Sequence, residues 1–576
     1  MKYTISATAS VACLLLSGQV FSHQDHDHAA RHVPHERYTD GDMARGVVFM
    51  DRNKNGVRER NEPGIQGVSV SNGIDVVTTD RRGEYAIELP AESILFISKP
   101  ARYDVPLDDN NLPRFYYIHY PEGTPAVADW QYDVIEPTGP LPERIDFALL
   151  PAKAEKPGDK FRAMAFADPQ AKSEEDQDMV REDVINELIG NPHDALFGIT
   201  AGDVVFDTLS LYERHNRMFG EIGIPMWNVP GNHDINFPSP NHKYATQTYS
   251  KHFGPTYYSF DYGQVHFVAL NNVQYKGAGQ GRYDNTVYRG YIDEDQLSWL
   301  KNDLQQVDRD RLIVITTHIP LVTHALDGKG ERYAMGDNIN TVNLDKLVEL
   351  LLPFERVYAL AGHDTSNSWK VEVNHSHGWY GTPWIAHTLA EVRGNGWTKG
   401  PRGETDVRAA TMQDGNPNGY YVMHFDGNRV TPQFIPSGQK GNLNDRMRIL
   451  LEPALEGTQN YQGDIVAINR GQLLPGTKLL VNLFDGGERD SVQVSLNEGE
   501  FLPMQNVIRT DPFMVRQHAK YQGTPDAFST PVASSHIWEY PLPHDLSPGL
   551  HTFVVKSTDE FGQQAEQAFT MEILGE

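Results

Sequence analysis

Cysteine is almost missing: the 576-residue chain has one, Cys13. It lies in MKYTISATASVACLLLSGQVFSHQ, where Lys2 precedes an apolar stretch and Val20 and Ser22 are small enough for signal-peptidase cleavage after Ser22. Residues 1–22 therefore read as an export signal. Their removal leaves no cysteine, which excludes a disulfide framework and a thiolate metal site. Long apolar runs are also missing. None after the first is long enough to span a bilayer, so a soluble exported protein, periplasmic or extracellular, is expected. Positive charge is scarce as well. Fifty Lys and Arg face 77 Asp and Glu, for a formal net charge of −27. Such a surface disfavours nucleic acid duplexes and anionic membranes. A small phosphorylated substrate stays compatible with it, because bound metal ions reverse the field locally. The length exceeds a single core, and about two to four domains are expected.

Histidine, by contrast, is clustered. His23, His26, His28, His32 and His35 sit among acids in a tract over 23–42 with no apolar periodicity. This reads as a solvated leader, a composition that also collects metal. From Gly46 the texture changes to short β-branched runs between Gly, Asn and Asp turns, which predicts an all-β module over 43–150. Within it, DRNKNGVRERNE has calcium-loop spacing. Asp51, Asn53 and Asn55 stand at positions one, three and five, Gly56 makes the turn, and Glu62 is position twelve. Val57 would offer a carbonyl and Glu59 a direct or water-bridged oxygen. Strands, not helices, are expected to flank this loop. It resembles the calcium-loop β-sandwich repeats of bacterial surface proteins, so Ca²⁺ is the expected cofactor of the module. RFYYIHYPEG (114–123) alternates aromatics and reads as a half-buried strand.

From residue 160 the pattern becomes α/β. FRAMAFADPQ ends in Asp168 and Gln170, and ALFGITAGD in Asp203. IPMWNVPGNHD ends in Asn232, His233 and Asp234. RLIVITTHIP ends in His318, and RVYALAGHD in His363. Helical spacing intervenes in EEDQDMVREDVINELI and DEDQLSWLKNDL. Successive strands that deliver Asp, Gln, Asn and His past their carboxyl ends place those side chains where α/β folds bind ligands.

This order of motifs resembles the calcineurin-like metallophosphoesterases, with their D-x-H, G-D, G-N-H-D/E, H and G-H-x-H signatures, over residues 160 to about 370. The β modules on either side resemble the extra domains of an exported subgroup. The resemblance implies a central metallophosphoesterase β-sandwich flanked by helices, over 155–375, between all-β modules. The C-terminal β region, 376–576, divides near 450. It also implies a two-metal phosphoesterase acting on phosphodiesters, nucleotides or pyrophosphate-linked molecules. Asp168 and Gln170 would hold the first ion and Asn232, His318 and His363 the second. Asp203 would bridge them, with a bridging hydroxide attacking in line. His233 would protonate or stabilise the leaving oxygen. Asp234 is the expected orienting group for His233, and Asp207 is a candidate for tuning a ligand or capping a turn.

Two positions depart from the family pattern. Gln170 stands where D-x-H has histidine, and an amide oxygen is a neutral, weaker donor. Thr365 stands where a further ligand to the first ion is usual, and a hydroxyl replaces it poorly. Water, or His375 or His377 from NHSH, is a candidate replacement. The mixed oxygen and imidazole set suits Mn²⁺, Fe or Zn²⁺. The alternative reading is a binding or surface protein whose phosphoesterase core has decayed. Thr365 favours decay, while Asp168, Asp203, Asn232, His233, His318 and His363 argue against it.

Overall fold

The structure is a computed structural model that describes residues 42–152, 160–277, 287–323, 337–393, 396–397, 399–403, 405–438, 446–452, 466–473 and 475–575. The export signal, Cys13 and the histidines of the leader lie outside them. No helix among the described residues is long and apolar enough to cross a membrane.

Two sheets form the centre. The first has the strand order Met226–Asn228, Gly198–Thr200, Lys160–Phe166, Gly419–Asp426, Arg429–Pro436. The second runs Tyr258–Tyr262, Val265–Ala269, Leu312–Thr316, Arg356–Ala361, Trp384–Thr388, Trp369–Val373. We label the site-bearing strands β1 (Lys160–Phe166), β2 (Gly198–Thr200), β3 (Met226–Asn228), β4 (Leu312–Thr316), β5 (Arg356–Ala361) and β6 (Trp384–Thr388). β1, β2 and β3 pair in parallel, as do β4, β5 and β6. Their inner residues are mostly apolar because both faces are covered there. Between the sheets, aromatic rings from the two inner faces interleave. Trp227 stacks on Phe260 at 4.1 Å and Phe197 on Tyr262 at 4.4 Å, and within the first sheet Phe161 stacks on its cross-strand partner Phe425 at 4.6 Å. Each such ring removes a large apolar area from water, which is the main term holding the layers together.

Helices close the outer faces. The helix Glu174–Val180 begins at Ser173, whose side chain accepts the Asp176 N–H. The helix Glu294–Leu304 begins at Asp293, which accepts the Gln296 N–H, and it buries Leu297, Trp299 and Leu300. Acidic residues fill the first turn of both, where the helix dipole favours them.

The central sheets continue past the boundary at 375 read from the sequence. The hairpin 419–436 pairs antiparallel with β1 and completes the first sheet. Alternation alone does not distinguish an added edge hairpin from a separate β domain. The N-terminal region forms two four-stranded sheets, and RFYYIHYPEG contributes the half-buried strand Tyr116–His119. The C-terminal region forms a four- and a five-stranded sheet around a core of its own. Both regions are bound to the centre by buried polar links. Lys99 donates to the Asp261 carbonyl at 2.7 Å. Asp485 contacts Lys370, His387 and Tyr421 at 2.8–2.9 Å. Burial opposes the Asp485 charge, but Lys370 and His387 hold its carboxyl well below the usual range.

Candidate active site and metal centre

The backbone turns sharply just past β1, β2 and β5. Asp168, Gln170, Asp203, Asp207 and His363 all have left-handed backbone, with φ between 43° and 71°. For residues with a Cβ this costs of order 1–3 kcal/mol each and persists only where the surroundings impose it. Here they do. The Gln170 N–H donates to the Asp203 carbonyl at 3.0 Å and Gly362 N–H to the His318 carbonyl at 3.0 Å. His233 N–H donates to Asp203 Oδ1 at 2.9 Å, and His363 N–H to Asp168 Oδ2 at 2.9 Å. Two motif glycines owe their place to close approach. A Cβ on Gly231 would lie 2.0 Å from Asp203 Oδ1, and one on Gly362 would lie 2.2 Å from Asp168 Oδ2.

The strand ends bring the predicted ligands together. His318 Nε2 lies 3.0 Å from Asn232 Oδ1, 3.2 Å from Asp203 Oδ1 and 3.2 Å from His363 Nδ1. The outer nitrogens of both rings are committed. His318 Nδ1 bonds the Ala201 carbonyl at 2.9 Å, and His363 Nε2 bonds the Asn338 carbonyl at 2.9 Å. Each inner nitrogen is thereby aimed at the same point, the arrangement that outer hydrogen bonds give metal-ligating histidines. Asp168, Asp203 and His318 each offer a ligand atom within 4.8 Å of the others, and all three are buried.

On the other side of Asp203, the Gln170 amide N–H₂ donates to Asp203 Oδ2 and lies 3.2 Å from Asp168 Oδ1. Its Oε1 is buried without a partner among the described residues. Turning the amide over presents that oxygen to the two carboxylates, which is favourable only with a cation between them. The donor set, the cradle closed by Gly231 and Gly362, and the orphaned Oε1 all fit two divalent ions.

The charges agree with that fit. Burial pushes Asp168 up to about 7, aided by Asp203 and opposed by His318. Burial also works against a charged His318, yet Asp203 raises the ring to about 9. A proton on His318 thus stands where a cation would. His363 falls to about 3 through burial and the nearby His318.

His233 sits beside the carboxylate pair, with Nε2 3.9 Å from Asp203 Oδ2 and its ring stacked on Phe206 at 3.8 Å. Burial disfavours its charge, but Asp203 and the Asp207 hydrogen bond hold it above the ordinary value. The sequence reading assigned the orienting contact to Asp234, and the structure corrects this. Asp207 Oδ1 meets His233 Nδ1 at 2.8 Å. Asp234 instead accepts from Gly231 N–H at 2.8 Å, Val204 N–H at 3.1 Å and Tyr212 O–H at 2.8 Å. Its carboxylate faces the turn that carries it, which adjacency in sequence does not reveal.

Thr365 follows His363 with its N–H on the His363 carbonyl at 3.0 Å. His375 is exposed, and His377 is engaged with Asn374 and Ser376 at 3.3 Å. Among the described residues neither touches the Asp168–Asp203 pair. Two residues that sequence reasoning passed over lie nearby. Glu391 is 0 % exposed, and among the described residues neither of its carboxylate oxygens has a partner. The Arg393 guanidinium lies 5.4 Å over the Phe206 ring, on whose plane His233 also stacks. Both belong to LAEVRG, which carries no spacing signal of its own.

The loop Asp51–Glu62 is a separate candidate. Asp51 and Glu62 are buried, and the residues between them are mostly exposed. Asp51 accepts from Lys54 N–H at 2.6 Å and Gly56 N–H at 2.8 Å, and Glu62 from Arg52 N–H at 2.8 Å and Glu59 N–H at 3.0 Å. Asn53 accepts from Asn55 N–H at 3.2 Å, and Asn55 from Val57 N–H at 2.8 Å. The Glu59 carboxylate accepts from both Asn side chains, at 2.8 and 3.1 Å.

Three family models match the chain in succession. The N terminal of Calcineurin-like phosphoesterase matches residues 52–134, Calcineurin-like phosphoesterase 161–367, and the C terminal of Calcineurin-like phosphoesterase 387–564. The chain belongs to the calcineurin-like phosphoesterases and is a phosphoester-hydrolysing hydrolase. A solved purple acid phosphatase, PPD1 from yellow lupin (Lupinus luteus) seeds, is similar at 12% identity. The match covers 69% of this chain and 68% of that chain, with a TM-score of 0.32. A comparison with curated proteins finds no match.

Proposed function

We propose that the chain is an exported enzyme that hydrolyses small soluble phosphoesters with two divalent ions. The observation that carries this reading is the convergence of ligands on both sides of Asp203. Asn232 and His363 meet His318, which lies 3.2 Å from Asp203 Oδ1, and Gln170 meets Asp203 Oδ2 and Asp168 on the other side. Asp168, Gln170 and Asp203 would hold the first ion, and Asp203, Asn232, His318 and His363 the second. When bound, such a pair supplies a nucleophilic oxygen at neutral pH and neutralises phosphoryl charge. The remaining chemistry falls to the chain. His233, kept protonated by Asp203 and Asp207, gives its Nε2 proton to the leaving oxygen. Arg393 brings positive charge to the Phe206–His233 side of an otherwise acidic site, which suits an anionic substrate. The N-terminal loop from Asp51 to Glu62 binds Ca²⁺ through Asp51, Asn53, Asn55, Val57, Glu59 and Glu62, and steadies its own module.

The test is metal analysis of the purified protein together with a panel of aryl phosphomonoesters and phosphodiesters assayed with added Mn²⁺. Two ions per chain and hydrolysis of at least one class are expected. A chain that holds no divalent ion and cleaves neither class overturns the reading.

A further inference from the structure

The segment after β6 is fastened residue by residue. Leu389 N–H donates to the Ala361 carbonyl at 2.8 Å, and Val392 N–H to the Ala167 carbonyl at 2.9 Å, one residue before Asp168. Ala390 N–H donates to Tyr421 Oη at 2.8 Å, and that hydroxyl donates to Asp485 Oδ1 at 2.8 Å. The turn over 415–420, GNPNGY, holds the other side. Gly419 N–H donates to the Glu391 carbonyl at 2.9 Å and Asn418 Nδ2 to the Val392 carbonyl at 3.0 Å. Trp397 Nε1 donates to the Pro169 carbonyl at 3.1 Å, between Asp168 and Gln170. The chain on both sides of Arg393 is thereby tied to the turn that carries the first ion's ligands, and the long side chain that leaves it reaches a defined place.

That place is the Phe206–His233 side of the centre. The guanidinium carbon lies 5.4 Å from the Phe206 ring centroid, and the His233 ring stacks on the same Phe206 at 3.8 Å. Among the described residues Arg393 has no ion-pair partner, and its Nε is buried with no hydrogen bond. Glu391 is no counter-ion, since burial holds its carboxyl well above the usual range against the pull of Arg393. Lys399 stands in the same condition. Its Nζ bonds the Ser529 hydroxyl at 2.8 Å and no carboxylate among the described residues. Burial and the charge of Arg393 both work against its own charge. Two unpaired cations that repel each other are unexpected in a chain of net charge −27. An anion between them removes the repulsion, and a phosphate suits both the planar fork of arginine and the point charge of lysine.

His233 faces the leaving oxygen, so a subsite on its side receives what the leaving group carries. We propose that Arg393 and Lys399 bind a second phosphate there, and that the preferred substrates carry two phosphates, as an ester-linked bisphosphate or a diphosphate. Hydrolysis then consumes one water and releases inorganic phosphate and the remaining phosphorylated product. The inference rests on the two-ion reading above and on the role given to His233, and it adds the substrate class.

The experiment measures kcat and KM of the full-length, Mn²⁺-loaded chain on three probes. Phenyl phosphate carries no second phosphate, benzene-1,3-diyl bisphosphate carries one through an ester link, and adenosine diphosphate carries one bonded directly. The natural chain is expected to favour at least one of the two-phosphate probes, and the one it favours identifies the linkage. Arg393→Gln and Lys399→Gln are each expected to lower kcat/KM on that probe about 10–100-fold, mostly through KM, and on phenyl phosphate by a clearly smaller factor. Arg393→Lys is expected to recover part of the loss, and each variant to keep the natural metal count. Equal losses on all three probes in both variants overturn the inference, because they mark a structural role or a role at the transferred phosphoryl group. A natural chain with no preference for either two-phosphate probe overturns it too. Lys399 is exposed, so its variant keeps the test decisive where Arg393→Gln fails to fold. A natural chain that holds two ions and cleaves none of the probes overturns instead the phosphoesterase reading on which the inference rests.

Discussion

The centre around Asp203 and the loop Asp51–Glu62 both read from sequence as cation sites, yet they are built in opposite ways. The loop is one stretch of twelve residues, and its side-chain oxygens already serve its own N–H groups. The centre draws on segments from 168 to 363, takes left-handed backbone at five non-glycine positions, and keeps Gln170 Oε1 unpartnered among the described residues. A local motif satisfies itself and gains from an ion what remains. A dispersed site stores unsatisfied groups that only the ion satisfies. The ion should therefore matter far more to the centre than to the loop.

Asp203→Asn gives the largest expected effect. It weakens both positions together, so activity should fall by more than the roughly 100-fold that loss of an outer hydrogen-bonding partner costs. Steady-state rates beside bound-metal counts check this. Near-normal turnover with both ions retained would remove Asp203 from the bridging place and, with it, the asymmetry drawn here.

Asp207→Asn against Asp234→Asn is next. Asp207 holds the His233 ring and keeps it protonated above its ordinary value. Its neutral replacement should lower kcat/KM about 10–100-fold. The alkaline limb of the pH–rate profile, where His233 loses its proton, should move to lower pH. Asp234→Asn should leave that limb in place and instead destabilise the turn by about 1–3 kcal/mol, because its acceptor bonds to Gly231, Val204 and Tyr212 are disturbed. Equal shifts of the limb in both variants would undo the correction made above.

Thr365→His has a smaller effect, on selectivity. An imidazole added to an oxygen-only position should shift its preference from Mn²⁺ towards Zn²⁺, and activity should depend less steeply on added Mn²⁺. Competitive loading with the two metals reads this directly. Unchanged selectivity would mean that residue 365 does not face the ion.

These expectations also mark how far the sequence reached. The family, the convergence of polar residues at the strand ends and the two flanking β regions were legible, because apolar runs that stop at Asp, Asn and His leave a pattern along the chain. Asp234 was read in place of Asp207 since adjacency to His233 is visible in sequence and the fold of the turn is not. Arg393 was passed over for a related reason. Its meaning comes from lying beside the Asp168 turn and Phe206, which the crossing from one sheet to the other creates and no spacing within LAEVRG announces. The hairpin 419–436 read as a separate β element because its pairing with β1 lies some 260 residues away in sequence.

The loop supplies the smallest effect and the sharpest contrast. If its oxygens bind Ca²⁺, the ion adds to an arrangement already held by N–H donors, so the chain should fold without it. Ca²⁺ at about 100 times its dissociation constant would stabilise the loop by about 2.7 kcal/mol. That gain belongs to the loop and not to the sheets of the centre, so it is best read locally, as slower hydrogen exchange at the Lys54, Gly56, Val57 and Glu59 amides that point at the loop's side-chain oxygens. Asp51→Ala with Glu62→Ala should abolish the calcium response and leave phosphoesterase activity unchanged. Exchange indifferent to millimolar Ca²⁺ would reduce the loop to a self-satisfied hairpin. Loss of activity in the double variant would show instead that the two regions are coupled, and the contrast between a local site and a dispersed one would have to be redrawn around that coupling.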